Sequence, residues 1–198
     1  MKTNLAIVLI FLVLVSCSET KQSNDVFIFF GDSHVENWDL NLWFPFTTNL
    51  NYGKAGNRIS DLLIRGDGIR ASDNNVIMIG VNDIIILSSR LDDNETILAT
   101  NDLVDSLFEH TDQDCIFMAI MPVTVQFEDS RSSNINYLID KVNEHIEESC
   151  KNKNIIFIDS NTILKKEAGL NESFSLDGIH LNNVGYEVIS KILRPYIY

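Results

Sequence analysis

The chain has 198 residues, 45% of them hydrophobic and 22% charged, which is enough for one domain with a substantial core. Its formal net charge is -13, from 28 acidic and 15 basic residues, and the sequence contains no cluster of Lys and Arg. This balance excludes a polyanion as the main partner, so we expect no nucleic-acid binding.

The first 16 residues are predicted to be a signal peptide rather than part of the fold. Lys2 gives a positive start, and residues 5–15 form an apolar run too short to span a membrane. The run ends in Leu-Val-Ser-Cys, which resembles a bacterial lipobox. The resemblance implies that Cys17 is lipidated and becomes the mature N-terminus. An ordinary secretory signal with a chance cysteine is the alternative.

Two further segments complete the predicted organisation. Residues 17–24 are polar without apolar periodicity, which predicts a short lipidated tether. Residues 25–198 form the single folded domain. The predicted location is therefore the cell envelope, on the periplasmic or surface face of a bacterial membrane, which the protein contacts only through its N-terminal lipid.

Within this domain, five short segments rich in strand-forming residues alternate with segments of helical periodicity. Two of the helices are predicted to be capped by Ser60 and Asn94, with Leu98 facing inward. The alternation predicts an α/β domain with a parallel sheet and helices on both faces. The strands are predicted at residues 26–30, 49–52, 76–80, 115–121 and 155–158.

The first predicted strand ends in Gly31-Asp32-Ser33. Gly31 permits a sharp turn, and Asp32 and Ser33 follow at the carboxyl edge of the sheet, where open α/β folds bind ligands. A serine at this edge could act as a nucleophile. Since a plain turn after a strand uses the same residues, the tripeptide leaves both interpretations open.

Three other segments supply groups at the same edge. Residues 53–57 contain two glycines and follow the second strand, while Asn82 and Asp83 follow the third. Before the last helix, Asp177 precedes His180 by three residues in a turn that contains glycine. Such an aspartate can fold back onto the ring, fix its tautomer and leave Nε2 free as a general base. A surface turn with a solvated histidine is the alternative.

Together these segments provide a nucleophile, a base, an orienting carboxylate and donors for an oxyanion, which are the groups that acyl transfer needs. Their sequences, Gly-Asp-Ser, a glycine loop, Gly-Val-Asn-Asp and Asp-Gly-Ile-His, resemble four blocks of the SGNH/GDSL hydrolase family in the family's order. The resemblance extends over residues 25–198. It implies a flavodoxin-like three-layer α/β/α sandwich with strand order 2-1-3-4-5.

The resemblance also implies a role for each matching residue. Ser33 is the implied nucleophile, His180 the base and Asp177 its partner. The backbone N–H groups of Ser33 and Gly56 and the side-chain amide of Asn82 are the implied oxyanion donors. This mechanism needs no metal and no organic cofactor.

Two positions depart from the family pattern. His34 stands where the family name has leucine, and Leu181 where a proline commonly follows the histidine. Neither departure removes a catalytic group. Local packing at the start of a helix is expected for His34, and neither it nor His110 nor His145 is assigned to the chemistry.

The sequence thus predicts a serine esterase that cleaves carboxylic esters through an acyl-enzyme, with short-acyl (O-acetyl) esters favoured. The expected partner is a small-molecule, glycan or lipid ester. A lysophospholipase or thioesterase for longer chains is the alternative, followed by a non-catalytic binding protein of the same fold. A carrier protein with phosphopantetheine on Ser33 is a further alternative, which the preceding buried strand and the predicted export disfavour.

The two cysteines of the domain leave their redox state open. Cys115 opens the fourth predicted strand and Cys150 closes the helix that follows it, so both lie at the same edge of the sheet. An exported protein meets an oxidising compartment, in which a disulfide between them is possible. Two separate buried thiols fit the sequence equally well.

Overall fold

The computed structural model describes residues 25–65, 74–111, 114–130 and 134–198. The predicted signal peptide and the tether with Cys17 lie outside the described residues. Five strands form one parallel sheet, in the order β2-β1-β3-β4-β5. The strand order and the three-layer architecture implied by the resemblance are confirmed. The strands are β1 (Val26–Gly31), β2 (Thr48–Gly53), β3 (Asn75–Met78), β4 (Ile116–Met118) and β5 (Ile156–Ile158).

Helices follow each strand and cover both faces of the sheet. A small antiparallel pair, β6 (Lys165–Lys166) and β7 (Gly169–Leu170), lies between α8 and the loop before the last helix. None of the described helices is long and apolar enough to cross a membrane. The helices are α1 (Ser33–Glu36), α2 (Leu40–Trp43), α3 (Ile59–Ile64), α4 (Val81–Leu87), α5 (Asp93–Phe108), α6 (Val125–Asp129), α7 (Ile135–Lys153), α8 (Asn161–Leu164) and α9 (Asn183–Leu193).

The alternation of side chains along β1 divides the core into two layers. Phe27 and Phe29 pack under α1, α2, α8 and α9, while Ile28 and Phe30 pack under α3, α4, α5 and α7. Because helices cover both faces of the sheet, a ligand can reach the sheet only at the ends of its strands. The fold therefore directs its chemistry to the carboxyl edge.

Several predicted details at the ends of elements were wrong. Helix α3 begins at Ile59 with Arg58 as its N-cap, because the Asp61 carboxylate accepts a hydrogen bond from the Arg58 N–H. Helix α5 is capped by Asp92 in a capping box with Glu95, so Asn94 lies inside the helix. Leu98 is 65% exposed rather than inward-facing.

Both cysteines of the domain are buried, and they are not joined by the disulfide that the sequence left open. Burial raises the pKa of the Cys150 thiol to about 12, with a smaller contribution from Cys115. The thiol is therefore protonated at neutral pH and acts as an apolar group in the core.

Candidate active site

Ser33 lies where β1 passes into α1. Asp32 is the N-cap of α1, and its carboxylate accepts a hydrogen bond of 2.9 Å from the His34 N–H. Ser33 is therefore the first residue of the helix, held at the carboxyl end of β1 as predicted. Its side chain is mostly buried, with 6% of the residue exposed.

The Asp177–His180 turn folds back as the sequence predicted. One Asp177 oxygen accepts from the N–H groups of Ile179 (3.1 Å) and His180 (2.9 Å), and the other lies 2.7 Å from His180 Nδ1. Because a carboxylate only accepts, Nδ1 carries the proton and Nε2 has a free lone pair. That Nε2 lies 2.9 Å from Ser33 Oγ, the distance of a hydrogen bond from the hydroxyl.

The same contacts keep Asp177 ionised. Partial burial by itself would raise the pKa of its carboxyl, but the hydrogen bonds from the His180 and Ile179 N–H groups and the His180 ring lower it below its usual value. Asp177 therefore presents a negative charge to Nδ1 at neutral pH. A negative charge in this position favours a positively charged imidazole ring.

Further hydrogen bonds hold the turn, one with Thr124 and two with residues next to the turn. Gly178 O accepts from the Thr124 N–H at 2.8 Å, and the Leu176 N–H donates to His180 O at 2.8 Å. The Gly178 N–H donates to Ser175 Oγ at 2.7 Å. Several hydrogen bonds thus fix the position of the turn that carries His180.

The implied side-chain oxyanion donor lies at the start of α4. Gly80 is the N-cap and has φ +130°, a conformation that favours glycine, and a Cβ there would meet Ile120 at 2.6 Å. Asn82 follows in the first turn, and its Nδ2 donates to Asn57 O at 3.0 Å. Since the amide NH₂ carries two hydrogens, the second can donate to another acceptor.

The implied backbone donor, Gly56, lies in the loop after β2 with φ +75° and open space where a Cβ would be. Two carboxylates hold this loop at its ends. Glu36, on α1, accepts from the Ala55 N–H at 2.9 Å. Asp83 accepts from the Ile59 N–H at 3.0 Å. The loop is therefore tied both to α1 and to α4.

Sequence reasoning missed both carboxylate contacts. The sequence did indicate that Asp83 belongs to the site, since it stands directly after Asn82 in Gly-Val-Asn-Asp. Nothing in the sequence indicated the role of Glu36, because its partner is a backbone N–H 19 residues away. In the described ranges, no group of three or more His, Cys, Asp or Glu residues is arranged to hold a metal ion.

Asp83 is nearly fully buried, and burial raises the pKa of its carboxyl from 3.8 to about 7. The folded state thus prefers the protonated carboxyl. The raised pKa contributes fully to the free energy of unfolding below about pH 4, and this contribution is lost as the pH rises through about 7.

Asp83→Asn is expected to make folding stability less dependent on pH. The amide oxygen can still accept from Ile59, while the group no longer has to ionise in the core. The free energy of unfolding of the wild type should therefore fall from pH 5 to pH 8 by more than that of the variant. Urea unfolding at the two pH values measures this difference, and an equal fall in both proteins would contradict the role of Asp83.

A cavity of about 510 Å³ lies beside the Asp177 turn. Hydroxyl, amide and carboxylate groups contribute most of its walls, with Phe127 and Leu176 as the apolar members. Its lining residues are Thr124, Gln126, Phe127, Ser130, Glu172, Ser175, Leu176, Asp177 and Gly178.

A carboxylate, an imidazole and a serine hydroxyl thus lie in one hydrogen-bonded series at the edge of a parallel sheet, an arrangement that recurs in serine hydrolases. A family model described as the GDSL-like Lipase/Acylhydrolase family matches residues 29–188. The chain belongs to this family, and is a hydrolase of the SGNH type. No curated protein matches the sequence.

Solved structures agree with this assignment. A protein from Streptococcus pneumonia, provisionally described as a platelet activating factor, has a TM-score of 0.70 and 25% identity, over 91% of this chain and 87% of that one. A GDSL-like lipase from Bacteroides thetaiotaomicron has a TM-score of 0.68 and 19% identity, over 87% of each chain. The acetylxylan esterase Axe2 from Geobacillus stearothermophilus has a TM-score of 0.67 and 18% identity, over 90% of this chain and 97% of that one. The last two likenesses concern the fold alone.

Proposed function

We propose that this hydrolase is a serine esterase that cleaves carboxylic esters through an acyl-enzyme, with short-acyl O-acetyl esters as its substrates. The observation that carries the proposal is the unbroken series of hydrogen bonds from Asp177 through His180 to Ser33. A binding protein would have no need to hold a serine hydroxyl against the free nitrogen of an oriented histidine.

In the proposed reaction, Ser33 Oγ attacks the ester carbonyl carbon while His180 Nε2 takes its proton. Asp177 stabilises the resulting imidazolium. The negative charge moves to the carbonyl oxygen. Hydrogen bonds from the N–H groups of Ser33 and Gly56 and from the amide of Asn82 stabilise it there. Collapse expels the alcohol, which takes the proton from His180.

The second half of the reaction repeats these steps with water. His180 removes a proton from the water that attacks the acyl-enzyme, and then returns a proton to Ser33 Oγ as the carboxylic acid leaves. Each proton therefore moves through a single nitrogen, Nε2, which lies at hydrogen-bond distance from the serine.

Two observations support a small acyl group on a hydrophilic alcohol. The cavity beside Asp177, whose lining residues do not include Ser33 or His180, has mostly polar walls, which suit the sugar part of a substrate better than a hydrocarbon chain. One of the structural neighbours is an acetylxylan esterase. The cell-envelope location and the lipid on Cys17 belong to the same proposal and rest on residues 1–24 alone; fractionation of cell membranes tests them.

Acyl-chain preference tests this substrate class. The purified full chain is expected to hydrolyse p-nitrophenyl acetate with a kcat/KM about tenfold or more above that for the palmitate ester, because a small acyl site excludes added methylenes. The measurement is initial rate across the series from acetate to palmitate.

Ser33→Ala in the same assay provides the background. A preference for long chains would reject the acetyl proposal and favour a lysophospholipase or thioesterase. A wild-type rate equal to that of Ser33→Ala on every chain length, and on acetylated xylan, would reject the esterase itself.

A further inference from the structure

His34 is buried between the nucleophile turn and the turn that carries the base. It is 2% exposed, its Nδ1 lies 3.2 Å from Asp32 Oδ1, and its Nε2 lies 2.9 Å from Ile179 O. The expectation of purely local packing was therefore wrong, because Ile179 is 145 residues away and directly precedes His180.

Both ring nitrogens of His34 face acceptors. A carbonyl oxygen can only accept, so the contact with Ile179 places a hydrogen on Nε2, and the Asp32 side chain beside Nδ1 favours a second one there. Burial by itself would lower the pKa of His34, but the hydrogen bond and charge of Asp32, followed by the Ile179 carbonyl and the charge of Asp177, raise it above its usual value.

Groups on three segments face this ring or its backbone. Asp32 lies two residues before His34 at the start of α1, and Asp177 and His180 lie in the turn before α9. The centroids of the His34 and His180 rings are 5.7 Å apart. From α9, the buried Tyr186 hydroxyl donates to His34 O at 2.8 Å. The backbone and the side chain of His34 are thus both fixed, so its Nε2–H has a defined position.

We propose that His34 is a positioning residue whose Nε2–H holds the Ile179 carbonyl and thereby keeps His180 aligned with Ser33. This inference rests on the proposed esterase function. The bond between Ser33 and His180 must rearrange each time the proton moves, whereas the His34–Ile179 bond takes no part in the chemistry. It can therefore keep the two turns in register throughout the cycle.

Two amide variants separate the two hydrogen bonds of the ring. His34→Gln can place a donor near the former Nε2 position and reach Ile179 O, while the shorter His34→Asn can reach only the Asp32 side. Both remove the imidazole ring and leave Asp32 without that partner, so this part of the cost in stability is common to the two variants.

The expected result is a difference in kcat at similar KM. His34→Asn should lose about 10- to 100-fold in kcat, because a misplacement of about 1 Å at a catalytic group costs this much. His34→Gln should stay within about threefold of the wild type. The assay is hydrolysis of p-nitrophenyl acetate, with concentrations corrected for folded protein by urea unfolding.

The pH profile gives a readout that a merely structural role would not move. Above its raised pKa the His34 ring loses one proton, and the tautomer that keeps Nδ1–H on Asp32 leaves the Ile179 carbonyl without its donor. The kcat of the wild type should therefore fall at alkaline pH, and that of His34→Gln, which has nothing to titrate, should lack this fall.

His145→Gln is the matched control, because His145 forms an exposed pair with Asp105 on α5. It should leave kcat and the pH profile unchanged. Equal kcat in His34→Gln and His34→Asn, at any level, would overturn the proposal.

A readout independent of activity keeps this test separate from the proposed function. The ring ¹⁵N shifts of His34 at neutral pH should show a proton on Nε2, and a ring without a proton on Nε2 would overturn the inference. If the wild type shows this proton but no activity above Ser33→Ala, the esterase function fails, and the alignment role that depends on it fails as well.

Discussion

Ser33→Ala is expected to lower kcat by on the order of 10⁶, because alanine has no oxygen to attack the ester and the His180 base is left without a proton to remove. The KM should change little, since the side chain is small and mostly buried. Steady-state hydrolysis of p-nitrophenyl acetate measures the loss. Covalent labelling by a fluorophosphonate should disappear with it.

The double variant Ser33→Ala/His180→Ala shows whether the two residues act as a unit. If His180 works only by activating Ser33, the double variant should be no slower than Ser33→Ala, because residues of one catalytic unit are strongly non-additive. A further loss comparable to that of His180→Ala alone would mean that water attacks with His180 as its base. Ser33 would then not be the nucleophile.

The central strands of the fold could be predicted because the relevant signals are local. The apolar run 26–30 followed by Gly31 marks β1, and it lies at the observed position within one residue. The order of the strands could not be predicted from local signals, since alternation alone allows several orders. Only the family resemblance implied the order 2-1-3-4-5. The observed order puts β1 between β2 and β3, which brings the loops after all three strands to one edge.

The contacts inside the site also divide into those that the sequence could predict and those that it could not. The Asp177–His180 bond joins residues three apart, so the spacing allowed it, and the family resemblance chose it over a solvated surface turn. The Glu36–Ala55 and His34–Ile179 contacts join a side chain to a backbone group that every residue has. No residue type in the sequence marks such a partner, and only the folded arrangement shows which backbone group is near.

Asn82→Ala is expected to lower kcat by about 10² to 10³, the cost of one oxyanion donor. Asn82 Nδ2 already donates one hydrogen to Asn57 O, so the amide is oriented before the oxyanion forms. An alanine removes the second hydrogen, and water has to replace a preorganised donor. The measurement is kcat and KM with p-nitrophenyl acetate, and KM should stay within about threefold.

Asn82 also touches the glycine loop, so loss of loop order must be separated from loss of the donor. Asn82→Asp retains the size of the side chain but presents oxygens to the developing negative charge, and it should be at least as slow as Asn82→Ala. Affinity for a tetrahedral boronate, which resembles the transition state, should fall in parallel with kcat/KM, while affinity for the product acid should not. Since Glu36 and Asp83 hold the loop independently, a parallel loss of both affinities would contradict the oxyanion role.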